Sequence, residues 1–261
     1  MGALAELYED RHKVYSNDSE YILRKPSMLL SSVLLLYRKP LRQLGLDNPW
    51  GPDLKGQRLG MGMFGAAFEL PETSTGKPKR VLKLTRDLSE AAASHLLIGK
   101  TPDHVVHIDK VWSLRETKIT DEHLVWYAIV REYLQPVNKK DADLLELIWE
   151  LWDDSDCDLE MPYNRSMKLR WENFLKHEFY NEDSESFNGV AVKRSMNILS
   201  QVAVGAKELA NVGVVWEDLH PENVMLNSAK RYKISDVGFG DFPEGFTVEF
   251  PRLKPTDEIT P

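Results

Sequence analysis

Asp218, Asn223 and Asp236 are the residues of this 261-residue chain whose types and spacing could do chemistry. The first two lie in Asp218-Leu219-His220-Pro221-Glu222-Asn223, and Asp236 follows Asp218 by eighteen residues, in Ile234-Ser235-Asp236-Val237-Gly238-Phe239-Gly240. Phosphoryl transfer from ATP requires a carboxylate beside the attacking hydroxyl, with an amide and a second carboxylate holding metal on the phosphates. The plainer alternative is a turn built from Asp, Pro and Asn, with Asp236 in an ordinary Asp-Val-Gly bend.

Upstream, Gly60-Met61-Gly62-Met63-Phe64-Gly65 has the Gly-x-Gly-x-x-Gly spacing that lets backbone amides approach phosphate without a Cβ in the way. Strand-like runs flank it, so it reads either as a phosphate-covering loop or as a glycine-rich hairpin with no ligand. Lys83 follows Gly60 by twenty-three residues within Val81-Leu82-Lys83-Leu84. A lysine among aliphatic strand residues can reach α- and β-phosphate oxygens when a carboxylate positions it, or it can guard an edge strand against aggregation. Glu90, seven residues on, is the carboxylate in place. Asp87-Leu88-Ser89-Glu90 is equally a capping box, in which Glu90 folds back on the first amide of its helix.

Positioning these groups calls for strands first and helices after. Proline and the cluster Asp47-Asn48-Pro49-Trp50-Gly51-Pro52 divide residues 1–50 into two or three helices broken at Pro26 and Pro40, with a buried helix over Met28 to Tyr37. Strand patterns run over Arg58 to Leu70 and Arg80 to Leu84, joined by the turn 71–78, and again over Val105 to Leu114 and His123 to Leu134, with a short helix at Ser89 to Ile98. Beyond Pro136, apolar spacings of three and four predict helices over Ala142 to Trp152, Ser166 to Phe179 and Ala191 to Val212, while 153–160 and 181–186 read as solvated connections. The result is an α+β, bilobal organisation: a helical extension at 1–53, a small antiparallel-sheet lobe at 54–134, and a helical lobe carrying the chemical loops at 135–261.

A net charge of −8 argues against a broad nucleic-acid surface, and the 42% hydrophobic and 28% charged fractions are those of a folded globular protein. The single cysteine, Cys157, sits among aspartates and cannot form an internal disulfide. The amino terminus lacks a secretion signal, Gly2 lacks the Ser or Thr that myristoylation needs at position six, and the apolar window ending at Tyr37 is too short to span a bilayer. A cytoplasmic setting, of the producing cell or of a host cell, is the expectation, with no membrane and no nucleic-acid partner.

Taken together, the motifs over Gly56 to Gly240 resemble the protein kinase-like superfamily, in outline the compact kinases of phages and bacterial effectors. The resemblance implies a kinase-like fold with a C-terminally truncated helical lobe, ATP and Mg²⁺ as cofactors, and a protein substrate. It assigns catalytic roles to Asp218, Lys83 and His220, metal binding to Asn223 and Asp236, and nucleotide binding to Gly60, Gly62, Gly65, Lys83, Glu90, Glu132 and Leu134, the last two through hinge backbone groups meeting adenine. Asp-Leu-His-Pro is closer to the aminoglycoside phosphotransferases; His220 either donates to a γ-phosphate or packs within its loop.

Three departures accompany the resemblance. Arg131 stands at the usually apolar position before the hinge, Trp216-Glu217 replaces the usual His-Arg, and twenty-five residues follow Asp236 with no Ala-Pro-Glu motif. The expected activity is a Ser/Thr protein kinase. Two other readings are a small-molecule kinase acting on an aminoglycoside or choline-like substrate, and a pseudokinase scaffold that binds nucleotide.

Overall fold

The computed structural model describes residues 30, 33–46, 58–61, 64–71, 79–114, 117–119, 122–154, 161–181, 186–216, 218–238, 240–242 and 246–259. Gly62, Cys157 and Glu217 fall outside them, as do the first 29 residues, the 47–57 segment, most of the expected 71–78 turn and positions 155–160 of the acidic run. The chain divides into two compact units, one drawn from 1–100, 107–133 and 242–261, the other from 101–106 and 134–241. The α+β expectation holds: the first unit is built on an antiparallel sheet and the second is mainly helical.

In the first unit, helix α1 (Arg38–Gln43) precedes strands β1 (Arg58–Met61), β2 (Gly65–Leu70) and β3 (Arg80–Thr85). Helix α2 (Leu88–Leu97), β4 (Ile108–Ser113), the short pair β5 (Thr117–Ile119) and β6 (Glu122–Leu124), and β7 (Tyr127–Glu132) follow. The sheet order is β1-β2-β3-β7-β4. Pro40 does not break a helix as expected but lies in the first turn of α1, where a missing amide costs nothing. The run from Arg58 to Leu70 is two strands rather than one, since Arg58–Met61 pairs antiparallel with Gly65–Leu70.

Alternation in β2 buries Ala66, Phe68 and Leu70, and with Leu82, Leu84, Ala128 and Val130 they line one face of the sheet. Leu30, Val33, Leu34, Tyr37, Leu41, Leu44 and Leu46 cover that face, joined by Leu253 and Ile259 from the C-terminal stretch. Truncating one such core leucine to alanine costs about 2–5 kcal/mol. The other face carries α2, whose Ala91, Ala92 and Ala93 are all buried; small side chains let the helix approach the strands. The stretch 246–259 folds with this unit: the Ser113 amide donates to the Pro251 carbonyl at 3.0 Å and the Leu253 amide to the Ser113 carbonyl at 2.9 Å, which covers the β4 edge.

The second unit holds β8 (Gln135–Pro136), α3 (Lys139–Asp154), α4 (Arg165–Glu178), the pair β9 (Tyr180–Asn181) and β10 (Ser186–Phe187), and α5 (Gly189–Ala210). Then come β11 (Val215–Trp216), a 3₁₀ turn at Pro221–Asn223, β12 (Val224–Leu226), β13 (Tyr232–Ile234) and β14 (Gly240–Asp241). The three long helices match the sequence reading to within three residues at each end. The β9–β10 pair does not, because two residues per strand leave no alternation to detect. At the end of α5, Gly213 has φ 87°, a left-handed turn that suits glycine and lets the Val214 amide return to the Leu209 carbonyl.

A buried polar knot ties α3, α5 and β13 together. The Asp141 carboxylate, 1% exposed, accepts from Asn138 at 2.6 Å and from the Arg194 guanidinium, with Tyr232 a further hydrogen-bond partner. Burial pushes the Asp141 carboxyl up, but the bonds from Arg194 and Tyr232, the Arg194 charge and the Asn138 bond outweigh it and hold the group below its ordinary value. Burial and the adjacent Asp141 push the Tyr232 phenol up to about 12. A depressed folded-state pKa stabilises above the unfolded value, about 3.9, and that stability is lost as pH falls through the folded one. Asp141→Asn is therefore expected to lower the urea midpoint at pH 7, with the difference from wild type shrinking below about pH 4 as the wild-type carboxylate takes up its proton.

Candidate active site

Backbone bonds draw Asp218, Asn223 and Asp236 into one loop cluster of the second unit. Pro221 starts the 3₁₀ turn, where its fixed φ fits and its absent amide is not needed, and the Asn223 amide closes that turn on the His220 carbonyl at 2.9 Å. The Ser235 amide donates to the Asn223 carbonyl at 2.7 Å, so the residue before Asp236 is fastened to the metal-ligand candidate. The antiparallel pairing of β12 with β13 sets Val224 opposite Ile234 and fixes the register.

Each side chain of the cluster has a defined setting. The Asn223 side-chain amide nitrogen donates to the Asp218 carbonyl at 3.3 Å, which makes Oδ1 the atom of this amide that could take a cation. One Asp236 carboxylate oxygen accepts the Gly238 amide at 3.0 Å in an Asx turn. Burial pushes the Asp218 carboxyl above its ordinary value and the Asp236 charge adds to this, with the His220 backbone amide and the Asn223 side chain opposing. Such a carboxyl is a better proton acceptor than a solvated one. Oxygen donors on Asn223 and Asp236 suit a small hard cation, which is commonly held by one or two protein groups and completed by phosphate and water.

His220 faces its own loop. Its Nδ1 accepts the Glu222 amide at 3.3 Å and its ring meets Trp149 of α3 edge to face at 5.2 Å between centroids, which leaves the proton of a neutral ring on Nε2.

In the first unit, Lys83 of β3 and Glu90 of α2 form an ion pair, with side chains 16% and 3% exposed. The capping-box alternative gives way, since Asp87 caps the helix by accepting the Ser89 and Glu90 amides, and the Asp87 amide itself donates to Thr85 Oγ1 at 3.1 Å. Gly65 is a packing glycine: a Cβ there would lie 1.8 Å from the Leu84 carbonyl oxygen of β3. A Cβ on Gly60 would meet nothing within 4 Å. The Glu132 amide donates to the His107 carbonyl at 2.9 Å, its carboxylate accepts the His107 amide at 2.7 Å, and Leu134 is buried.

Two contributors escaped the sequence reading. Trp216, noted only as a departure, is 4% exposed and its indole N–H donates to the Asp236 carbonyl at 3.0 Å, while β11 pairs with β14. The signal was available, because a buried indole N–H usually finds an acceptor. Arg131, noted only for standing at a usually apolar position, comes within 3.9 Å of the Glu90 carboxylate.

Residues 127–243, which include the whole loop cluster, match the family model described as protein tyrosine and serine/threonine kinase. This stretch is protein-kinase-like. Over 75 residues the chain is 35% identical to G protein-coupled receptor kinase 2 of Drosophila melanogaster, covering 28% of this chain and 10% of that protein. Over 64 residues it is 33% identical to the rhodopsin kinase grk7a of Danio rerio, covering 24% and 11%. The chain spans about a tenth of the length of these curated relatives. The likeness supports the protein kinase-like superfamily and, with the sheet unit and the helical unit, a kinase-like α+β fold. The matched stretch holds Glu132, Leu134, Asp218, Asn223 and Asp236, whereas the glycine loop, Lys83 and Glu90 precede it. Among the described residues, no helix is long and apolar enough to cross a membrane.

Proposed function

We propose that this protein is an ATP-dependent phosphotransferase that modifies Ser or Thr hydroxyls of a protein. The observation that carries the reading is the fastening of Asn223 to both Asp218 and Ser235, which sets a proton acceptor beside an amide and a carboxylate suited to a cation. Asp218 accepts or orients the proton of the acceptor hydroxyl, helped by a proton affinity that burial raises. Asn223 and Asp236 hold Mg²⁺, which neutralises charge on the phosphate oxygens when bound. Lys83, positioned by Glu90, takes the α- and β-phosphates of a nucleotide, and the backbone around Gly60, Gly62 and Gly65 covers them. Backbone groups of Glu132 and Leu134 meet the adenine.

His220 serves this loop through its Nδ1 cap and its contact with Trp149, with Nε2–H available to a phosphate oxygen. Incubation with γ-labelled ATP, Mg²⁺ and protein acceptors is expected to label the acceptor with wild type and not with Asp218→Ala. Equal labelling by the two, or labelling of aminoglycosides and amino alcohols only, would overturn the protein-kinase reading.

A further inference from the structure

Arg131 breaks the one-to-one balance of the buried Lys83–Glu90 pair. In the β3–β7 ladder Lys83 opposes Ile129 and Val81 opposes Arg131, so Lys83 and Arg131 project from one face of the sheet, two residues apart along the strands. That face carries α2 and Glu90. Both cations address the same carboxylate oxygen, Oε1, with the Arg131 side chain 13% exposed and that of Glu90 only 3%. One anion is thus flanked by two cations where water has little access.

A lysine that binds nucleotide phosphates must share its ammonium or withdraw it from its carboxylate partner. Glu90 is too deeply buried for water to take over, and removing the cation from a buried carboxylate is strongly destabilising. An apolar side chain at position 131 would leave Glu90 dependent on Lys83 alone. We propose that Arg131 is a positioning residue that holds Glu90, and with it α2, while Lys83 engages the phosphates. The proposal rests on the phosphotransferase reading for what Lys83 binds. The holding of α2 by a second cation stands apart from that reading.

The 261-residue chain is tested in two measurements. In steady-state kinetics, Arg131→Leu is expected to raise KM for Mg·ATP about ten-fold while moving kcat by about two-fold or less, because it weakens a ground-state contact. Arg131→Lys is expected to recover most of the loss, and in a Glu90→Gln background Arg131→Leu is expected to add nothing. An unchanged KM in Arg131→Leu, or an undiminished effect in the Glu90→Gln background, would overturn the proposal. Hydrogen exchange of α2 amides without nucleotide supplies the second measurement. Protection is expected to survive Lys83→Met and to fall about ten-fold or more when Arg131→Leu is added. Equal protection in the single and double variants would overturn the proposal, even for a protein that proved to bind no ATP.

Discussion

Asp218→Asn is expected to lower kcat for phosphoryl transfer by about 10²- to 10⁴-fold, the span that a positioned proton acceptor contributes. The substitution is close to isosteric and keeps an oxygen acceptor for the His220 amide, so the loop should hold its shape. It also removes the like-charge repulsion with Asp236, so the melting temperature should not fall. KM for Mg·ATP is expected to change by less than about three-fold, since the role proposed for Asp218 is on the acceptor rather than on the nucleotide. Steady-state kinetics alongside thermal melts separate the two effects. A variant that retained more than about a tenth of wild-type kcat would remove Asp218 from the chemistry.

Gly65→Ala adds a single methyl group and is expected to destabilise the sheet unit strongly. The new Cβ would sit 1.8 Å from the Leu84 carbonyl oxygen, 2.8 Å from its carbon and 2.9 Å from the Thr85 Cα. All three are backbone atoms of the neighbouring strand, with no flexible side-chain end to yield, so β2 and β3 must part locally. Overpacking of side chains costs about 1–3 kcal/mol, and a backbone collision should reach or exceed the upper end, a fall in Tm of roughly 6–12 °C for a chain of this size. Gly60→Ala, with nothing within 4 Å of its Cβ, is expected to leave Tm within about 1–2 °C. Any effect of Gly60→Ala would then fall on Mg·ATP affinity. Calorimetric melts and nucleotide titrations of the two variants check this contrast, and a Tm for Gly65→Ala equal to that of wild type would contradict the packing assigned to it.

Much of this organisation was legible because it rests on periodicity. The three long helices declare themselves through apolar spacing, and Ala66, Phe68 and Leu70 through alternation. The turn that draws Asp218, Asn223 and Asp236 together was legible because Asp, Pro and Asn at these offsets favour a tight turn. What depends on distant partners was not. Glu90 fits a capping box as well as an ion pair, and only Thr85, taking the Asp87 amide, settles which role its carboxylate has. The fold of 246–259 onto β4 turns on single bonds at Ser113, which no local pattern announces. Gly65 shows what spacing alone does not carry: the need for glycine against the Leu84 carbonyl of the neighbouring strand is set by a distant partner.

Titration calorimetry of Mg·ATP into wild type, Lys83→Met and Asp236→Asn is the most direct measure of whether Lys83 and Asp236 each serve nucleotide binding. Wild type is expected to bind a single equivalent, and each variant to bind about 10- to 100-fold more weakly, the loss that follows removal of a charge-assisted contact worth about 1.5–3 kcal/mol. Wild type that takes up no Mg·ATP, or an affinity that neither substitution changes, would contradict the account.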